Sequence, residues 1–186
     1  MAKTEIRMTG SGGQGVIMGT IIIAEAAYED GKNVVQCQAY GPEARGGSSK
    51  AETIVSDEKI TYTKVIRPDL LLALTQVSLD KYVDCLKNNA IVVVDEEINV
   101  PDKIESLHTV YHLPILRGAE EVVKNRMSAN IISVGVVNEL LHVASQKAVE
   151  EAVLNHVPKG TEEVNLKALH YGAQLVQEAQ KSNNIF

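Results

Sequence analysis

The sequence contains the stretch Met8-Thr-Gly-Ser-Gly-Gly-Gln-Gly-Val16, in which four glycines fall within six residues. A short apolar run with strand character, residues 6–9, precedes the glycines, and a long apolar run with helical character, residues 16–28, follows them. A strand, a glycine loop and a helix in this order aim backbone N–H groups and the positive end of the helix dipole at an anion. We therefore expect a phosphate-binding loop made of Gly10, Ser11, Gly12, Gly13, Gln14 and Gly15.

Other interpretations of this stretch stay open. A tight turn in which glycine only lets the helix pack closely against the sheet explains the same residues. The spacing also fits the dinucleotide fingerprint, but the second apolar run, residues 34–39, lacks the carboxylate that would bind a ribose. Val16 and Ile17 stand where a P-loop has Lys and Ser or Thr, which argues against a kinase or ATPase.

Composition limits the class of protein. A chain of 186 residues with 45% hydrophobic residues predicts one globular domain, residues 1–186. A net charge of -6, no Trp and one Phe argue against nucleic-acid binding, which requires a basic face or stacking aromatics. The most apolar stretch, residues 16–27, is too short to span a bilayer, and no signal peptide is evident, so we expect a cytoplasmic protein.

The sequence offers few groups for metal or nucleophilic chemistry. Cys37 and Cys85 are too few for an iron–sulfur cluster, and the five histidines lack a metal-binding spacing. The run Asp95-Glu96-Glu97 has the ligand type for a cation, although a solvated acidic turn is the better explanation. We therefore predict neither a metal site nor a catalytic residue on this chain.

Periodicity predicts an α/β fold with three layers, a mostly parallel but partly mixed sheet, and a helical C-terminal tail. The alternation of residues 50–56 and a hairpin return at residues 60–62 indicate antiparallel pairing at one side of the sheet. Ser128 is predicted to cap the helix at residues 131–144. The remaining predicted strands cover 6–9, 34–40, 69–74, 90–94 and 109–113, and the remaining helices cover 14–28, 78–86, 145–154 and 164–180, with helical pattern from residue 117.

A second glycine-rich loop follows the second predicted strand. If that strand is parallel to the first, the loop lies at the same carboxyl edge of the sheet as the first glycine loop. Arg45 supplies a rigid guanidinium for an anion, and Glu43 is placed to orient it, although a solvated surface turn remains an alternative. As an interface or active-site edge we select Tyr40, Gly41, Pro42, Glu43, Arg45, Gly46 and Gly47.

The two loops together resemble a known family. Gly10-Ser-Gly-Gly-Gln-Gly-Val16, with Tyr40-Gly-Pro-Glu-Ala-Arg-Gly-Gly47 and Lys50-Ala-Glu52, resembles the gamma subunit of 2-oxoacid:ferredoxin oxidoreductases. The segments 69–74 and 130–135 are similar as well, so the resemblance covers nearly the whole chain. Within the family, the second loop is closer to the 2-oxoglutarate members than to the pyruvate members. Ile131-Ile132 departs from the Met-Val of many members without affecting a functional residue.

The resemblance implies a role inside a larger enzyme. Members of this family decarboxylate a 2-oxoacid on thiamine diphosphate, pass electrons through iron–sulfur clusters to ferredoxin or flavodoxin, and transfer the acyl group to coenzyme A. Thiamine diphosphate and the clusters belong to the alpha, beta and small ferredoxin-like subunits. For this chain we expect binding of a coenzyme A phosphate at the first loop. The alternatives are a nicotinamide-binding dehydrogenase domain and a purely structural assembly subunit.

Overall fold

The computed structural model describes residues 3–39 and 48–183. The strands are β1 (Thr4–Ser11), β2 (Asn33–Ala39), β3 (Ser48–Ser56), β4 (Leu70–Ala73), β5 (Ile91–Asp95) and β6 (Thr109–Leu113). The helices are α1 (Val16–Glu29), α2 (Gln76–Tyr82), α3 (Asp102–Leu107), α4 (Ile115–Glu121), α5 (Ala129–Leu141), α6 (Gln146–His156) and α7 (Glu162–Asn183). A 3₁₀ turn, Arg126–Ser128, leads directly into α5.

The strands form a six-stranded mixed sheet in the order β2-β3-β1-β4-β5-β6. β1, β4, β5 and β6 are parallel, whereas β3 lies antiparallel between β1 and β2. β2 therefore runs in the same direction as β1, although the two strands do not touch. The predicted mixed sheet is confirmed, but the predicted hairpin return at residues 60–62 is wrong. Residues 57–69 contain no strand, and the antiparallel pairing comes from β3 with its two neighbours.

Helices cover both faces of the sheet, which confirms the predicted three layers. On one face, α1, α4, α5, α6 and α7 share an apolar cluster with Ile6, Met8, Leu70 and Leu72. On the other face, α2 and α3 pack on the parallel half of the sheet. β4 is apolar at every position and fully buried, as expected for a central strand covered on both sides.

Helix α5 is the most deeply packed element of the first face. Its Gly135 lies so close to α7 that an added Cβ would fall 2.1 Å from the carbonyl oxygen of Leu169. Gly172 of α7 has the same relation to the carbonyl oxygen of Ile132, also at 2.1 Å. These two glycines let the backbones of α5 and α7 touch, which no larger residue would permit.

The predicted helices start one or two residues away from the observed helices, and two of these differences concern the site. α1 begins at Val16 rather than at residue 14, because Gln14 belongs to the glycine loop. Ser128 does occupy the residue before α5, but its side chain makes no capping hydrogen bond. Its hydroxyl group instead lies 3.4 Å from Oδ1 of Asn165 on α7. None of the helices among residues 3–39 and 48–183 is both long and apolar enough to cross a bilayer.

The second face of β1 and β3 carries a buried ion pair instead of an apolar layer. Nε of Arg7 donates to Oε1 of Glu52 at 2.7 Å, and a second guanidinium nitrogen donates to the Val65 carbonyl at 3.2 Å. Arg7 also lies over the ring of Tyr82 on α2, 5.5 Å from its centroid. Lys50 approaches the same carboxylate oxygen of Glu52 at 3.1 Å. The pair thus joins β1, β3, α2 and the segment after β3.

Removing either partner of this pair should destabilise the chain, but unequally. In Glu52→Leu, Arg7 stays buried without a carboxylate, which should lower the free energy of unfolding by roughly 3–5 kcal/mol. Arg7→Met should cost less, because Glu52 keeps Lys50 as a partner. Urea denaturation of the two variants and of the double variant Arg7→Met/Glu52→Leu measures this. The double variant should recover part of the Glu52→Leu loss, and strictly additive losses would contradict the coupling.

Helix α6 is held against α1 by polar contacts. Glu25 of α1 accepts a hydrogen bond from the Asn155 side chain at 2.8 Å and contacts Nε2 of His156 at 2.6 Å. Burial raises the pKa of Glu25, but the hydrogen bonds of Asn155 and His156 and the charge of His156 outweigh it, so the pKa is lowered overall. Asp30, just beyond α1, accepts hydrogen bonds from the N–H and hydroxyl groups of Ser145 at the start of α6.

The lowered pKa of Glu25 predicts a loss of stability in acid. Because the folded-state pKa lies below the unfolded value near 4.5, the contribution is complete above that pH and is lost as pH falls through the folded pKa. Glu25→Gln should therefore flatten the decline in the free energy of unfolding below about pH 4.5. Urea titrations from pH 6 to pH 3 measure this. As a control, Glu151→Gln removes an exposed α6 carboxylate that pairs with Lys147 at 3.7 Å, and an equal flattening there would refute the assignment.

A glycine-loop cleft as candidate functional site

The glycine loop between β1 and α1 is a tight turn closed by one side chain. The N–H of Gln14 donates to the carbonyl of Ser11 at 3.2 Å, and Oε1 of Gln14 accepts from the N–H of Ser11 at 2.7 Å. Gly13 and Gly15 have φ values of +91° and +71°, a region that side-chain-bearing residues rarely adopt. The carboxamide of Gln14 therefore fixes the loop from within.

Two of the loop glycines are required by packing. A Cβ at Gly10 would lie 2.5 Å from Oε1 of Gln14, so any side chain there would displace the carboxamide. A Cβ at Gly15 would lie 2.8 Å from Nδ2 of Asn130, at the start of α5. For Gly10 and Gly15, close packing is therefore enough to explain the glycine.

The other two loop glycines face open space. A Cβ added at Gly12 or Gly13 would have no atom within 4 Å, and both residues are exposed. They border a cleft of about 280 Å³. Its lining consists of Ser11, Gly12, Gly13, Gln14, Leu116, Glu120, Arg126, Met127 and Ala129. Packing does not explain the glycines at positions 12 and 13. The positive φ of Gly13 accounts for a glycine at that position, whereas at position 12 close approach of a ligand to the backbone would account for it.

The start of α1 lies behind the same loop. Gly15 is the residue before the helix, and no side chain caps the helix. The first N–H groups of a helix have no partners within it, and they carry the positive end of the helix dipole. The loop therefore combines an accessible backbone with a positive partial charge, which favours an anionic group.

A second cleft of about 310 Å³ shares Met127 with the first. It lies between α1, the start of α5 and the connection from α6 to α7. Apolar side chains dominate its lining, among them Met18, Ile22, Ile131, Val157 and Pro158. Met127 is largely exposed and borders both clefts, so the two clefts adjoin at this side chain.

The strand ends that flank residues 40–47 lie at the edge of the sheet that carries the glycine loop. Ser48 of β3 pairs with Ser11 of β1, and Ala39 of β2 pairs with Lys50. The predicted common edge is therefore confirmed for these strand ends. The predicted interface residues themselves lie outside the described residues: Tyr40, Gly41, Pro42, Glu43, Arg45, Gly46 and Gly47.

The sheet order also bears on the dinucleotide alternative. In a doubly wound dinucleotide-binding fold, β2 lies directly beside β1 and its end reads the ribose. Here β3 separates the two strands, so the end of β2 does not adjoin the glycine loop. The chain therefore lacks both the strand end that would lie beside the ribose and the carboxylate that would bind it.

The acidic run at the end of β5 makes contacts within the fold. Asp95 is buried, and its Oδ2 accepts from the N–H of Leu116 at 2.8 Å, which caps the start of α4. Burial raises the pKa of Asp95 despite the opposing backbone N–H donors. Glu96 pairs with Arg117, Nε to Oε1, at 2.7 Å. No group of three or more His, Cys, Asp or Glu side chains within residues 3–39 and 48–183 is arranged to hold a metal ion.

Sequence reasoning missed the opposite wall of the first cleft. Glu120 and Arg126 line it, and they form a salt bridge with Nε and Oε1 3.1 Å apart. They are more than 100 residues from the glycine loop in sequence, and no motif marks them. Only the packing of α4 and α5 brings them to the loop.

Comparisons with known proteins agree with this structure. The 2-oxoglutarate synthase subunit KorC of Methanocaldococcus jannaschii is 44% identical over 178 residues, which cover 95% of each chain. The gamma subunit of a keto/oxoacid ferredoxin oxidoreductase from Geobacter sulfurreducens has a crystal structure that superposes with a TM-score of 0.86 at 38% identity, covering 96% of this chain and 99% of that one.

A third similarity concerns the fold alone. The 2-oxoglutarate:ferredoxin oxidoreductase of Magnetococcus marinus, solved with 2-oxoglutarate, coenzyme A and succinyl-CoA bound, matches with a TM-score of 0.86 at 24% identity. The match covers 96% of this chain but 32% of that longer one. The family model described as pyruvate ferredoxin/flavodoxin oxidoreductase matches residues 5–175, which confirms the resemblance seen in the two loops. The chain therefore belongs to the pyruvate ferredoxin/flavodoxin oxidoreductase family.

Proposed function

We propose that this chain is the gamma subunit of a 2-oxoglutarate:ferredoxin oxidoreductase and acts only within the assembled complex. The complex would convert 2-oxoglutarate, coenzyme A and an oxidised acceptor into succinyl-CoA, CO2 and the reduced acceptor. The observation that carries this proposal is the 44% identity, over nearly the full length of both chains, with a relative named 2-oxoglutarate synthase subunit. Ferredoxin or flavodoxin would be the acceptor, and we propose a single domain and a cytoplasmic location.

The redox cofactors would belong to partner subunits. The side chains of this chain do not fit an iron–sulfur cluster, because Cys37 and Cys85 supply two thiols where a cluster takes four. Cys37 is on β2 and Cys85 follows α2, and both are exposed. We therefore assign the clusters and thiamine diphosphate to alpha, beta and small ferredoxin-like subunits. Iron analysis of the purified chain tests this, and stoichiometric iron would contradict the assignment.

For the chain itself we propose coenzyme A binding at the glycine loop. The diphosphate and the 3′-phosphate of coenzyme A are anions of the kind that a helix start binds. The open backbone at Gly12 and Gly13 supports close approach of such a group. The adjoining apolar cleft supports this ligand as well, because the pantetheine arm of coenzyme A is long and uncharged. No catalytic residue is assigned to this chain.

Glycine substitutions separate ligand contact from backbone strain. Gly12→Ala should raise the KM for coenzyme A of the assembled complex roughly tenfold or more, because a hydrogen bond to a charged group is worth about 1.5–3 kcal/mol. The KM for 2-oxoglutarate should hardly change. Gly13→Val should do the same, with added strain of roughly 1 kcal/mol from its positive φ. Steady-state kinetics with each substrate varied in turn measure both constants.

Gly31→Ala is the matched control for strain. Gly31 also has a positive φ, +80°, and open space around its Cβ position, but it lies beyond the far end of α1. This variant should lose stability without a change in either KM. If Gly12→Ala leaves both constants at wild-type values in a complete complex, the loop is only a packing turn and the coenzyme A assignment is wrong.

The role of the second loop stays a prediction. We expect Arg45 to contact a partner subunit near the active site, so that Arg45→Ala lowers turnover of the complex without unfolding this chain. Arg67→Ala, which removes an exposed arginine before β4 at the opposite edge of the sheet, is the control. Turnover assays and size-exclusion chromatography measure activity and assembly. Wild-type values for both in Arg45→Ala would leave the loop as a solvated turn.

The two alternatives make different predictions. A nicotinamide-binding domain would bind NADH with micromolar affinity, which calorimetry on the purified chain detects. A purely structural subunit would leave coenzyme A affinity unchanged when both loops are substituted. Assays of the native complex with individual 2-oxoacids test the substrate.

A further inference from the structure

The salt bridge between Glu120 and Arg126 lies in the wall of the cleft that faces the glycine loop. Both side chains are exposed, that of Arg126 at 86% and that of Glu120 at 52%. The pair therefore places one positive and one negative charge where the proposed anion would enter. The pair is separate from the start of α1, and packing does not require it.

Hydrogen bonds hold the backbone around Arg126 in place, although the side chain of Arg126 is exposed to solvent. The side chain of Asn125 accepts a hydrogen bond from the N–H of Met127 at 3.1 Å, which closes the 3₁₀ turn. Ser128, at the end of the turn, is buried against Asn165 of α7. The turn thus holds the backbone of Arg126 beside the cleft, while the side chain of Arg126 is exposed to solvent.

In an exposed arginine–glutamate pair, the arginine easily exchanges the glutamate for another anion. Such pairs contribute little, because water screens them and ordering two long side chains costs entropy. A guanidinium forms stronger, two-pronged hydrogen bonds with a phosphate, which carries more charge than a carboxylate. A phosphate that is also held by the glycine loop would therefore displace Glu120 from Arg126.

We propose that Arg126 binds a phosphate of coenzyme A across the cleft from the glycine loop, and that Glu120 competes with that phosphate for the guanidinium. Glu120 thereby lowers the affinity of the site in two ways: it occupies Arg126 in the free subunit, and its charge repels the phosphate in the bound state. This inference rests on the coenzyme A role proposed for the loop.

The two residues should have opposite effects on binding. Arg126→Gln should raise the Kd for coenzyme A in the assembled complex roughly tenfold, whereas Glu120→Gln should lower it severalfold. In the double variant Arg126→Gln/Glu120→Gln, the gain from removing the carboxylate should shrink, because no guanidinium is left to release. Isothermal titration of the complex with coenzyme A, at low and high salt, measures these constants, and both single effects should diminish as salt rises.

The pair Glu96 and Arg117 is the matched control. It is also an arginine–glutamate pair, at 2.7 Å, in which Arg117 is exposed and Glu96 is partly buried, but neither residue lines the cleft. Arg117→Gln and Glu96→Gln should leave the Kd within twofold of wild type. Titration with dephospho-coenzyme A, which lacks the 3′-phosphate, identifies the phosphate. If Arg126→Gln no longer matters with this ligand, Arg126 contacts the 3′-phosphate; if it still matters, Arg126 contacts the diphosphate.

The outcomes separate this inference from the proposed function. If Gly12→Ala weakens coenzyme A binding but Arg126→Gln behaves like the control, the loop binds coenzyme A and the role of Arg126 is refuted. If Glu120→Gln weakens binding, the competition is refuted, because the carboxylate then supports the site. If Gly12→Ala and Arg126→Gln both leave the Kd unchanged in a complete complex, coenzyme A does not bind in this cleft and both proposals are wrong.

Discussion

The close approach of α5 to its two neighbouring helices is the constraint on which the rest of the structure depends. Gly135 and Gly172 bring the backbones of α5 and α7 into contact, and Gly15 gives Asn130 of α5 room beside the start of α1. Gly19, one turn further along α1, leaves room for the end of the Met8 side chain of β1, since an added Cβ would lie 3.0 Å from its methyl carbon. Four positions without side chains thus set the distances between a strand and three helices.

This packing explains how the cleft arises. Because α5 is pressed against the start of α1, the 3₁₀ turn that precedes α5 stands directly beside the glycine loop. Leu116 and Glu120 of α4 then complete the wall. The geometry of the site therefore depends on helix contacts within the apolar cluster as well as on the loop sequence.

A feature could be predicted from the sequence when residues close together in the chain carry a pattern that marks it. Apolar runs and glycine positions predicted the layers and most elements, because burial imposes a pattern that is visible locally. The position of β3 between β1 and β2 was not predictable, since strand order depends on pairing between distant residues. Residues 60–62 alternate like a strand but lie in irregular structure.

For the site, the sequence pointed to the glycine loop as a whole. Which of its glycines are required by packing and which face open space follows only from the neighbouring side chains of Gln14 and Asn130. Arg126 had no local signal at all.

The order of elements along the chain has a consequence for synthesis. β1, β3 and β4 are complete once residue 73 is made, but their apolar face shares its cluster with α5 and α7, which extend to residue 183. At elongation rates of about 5–20 residues per second, roughly 5–20 s pass before α5 and α7 have been synthesised. During this interval Ile6, Met8, Leu70 and Leu72 of the nascent chain have only part of their final partners, so this apolar face stays partly uncovered until the end of synthesis.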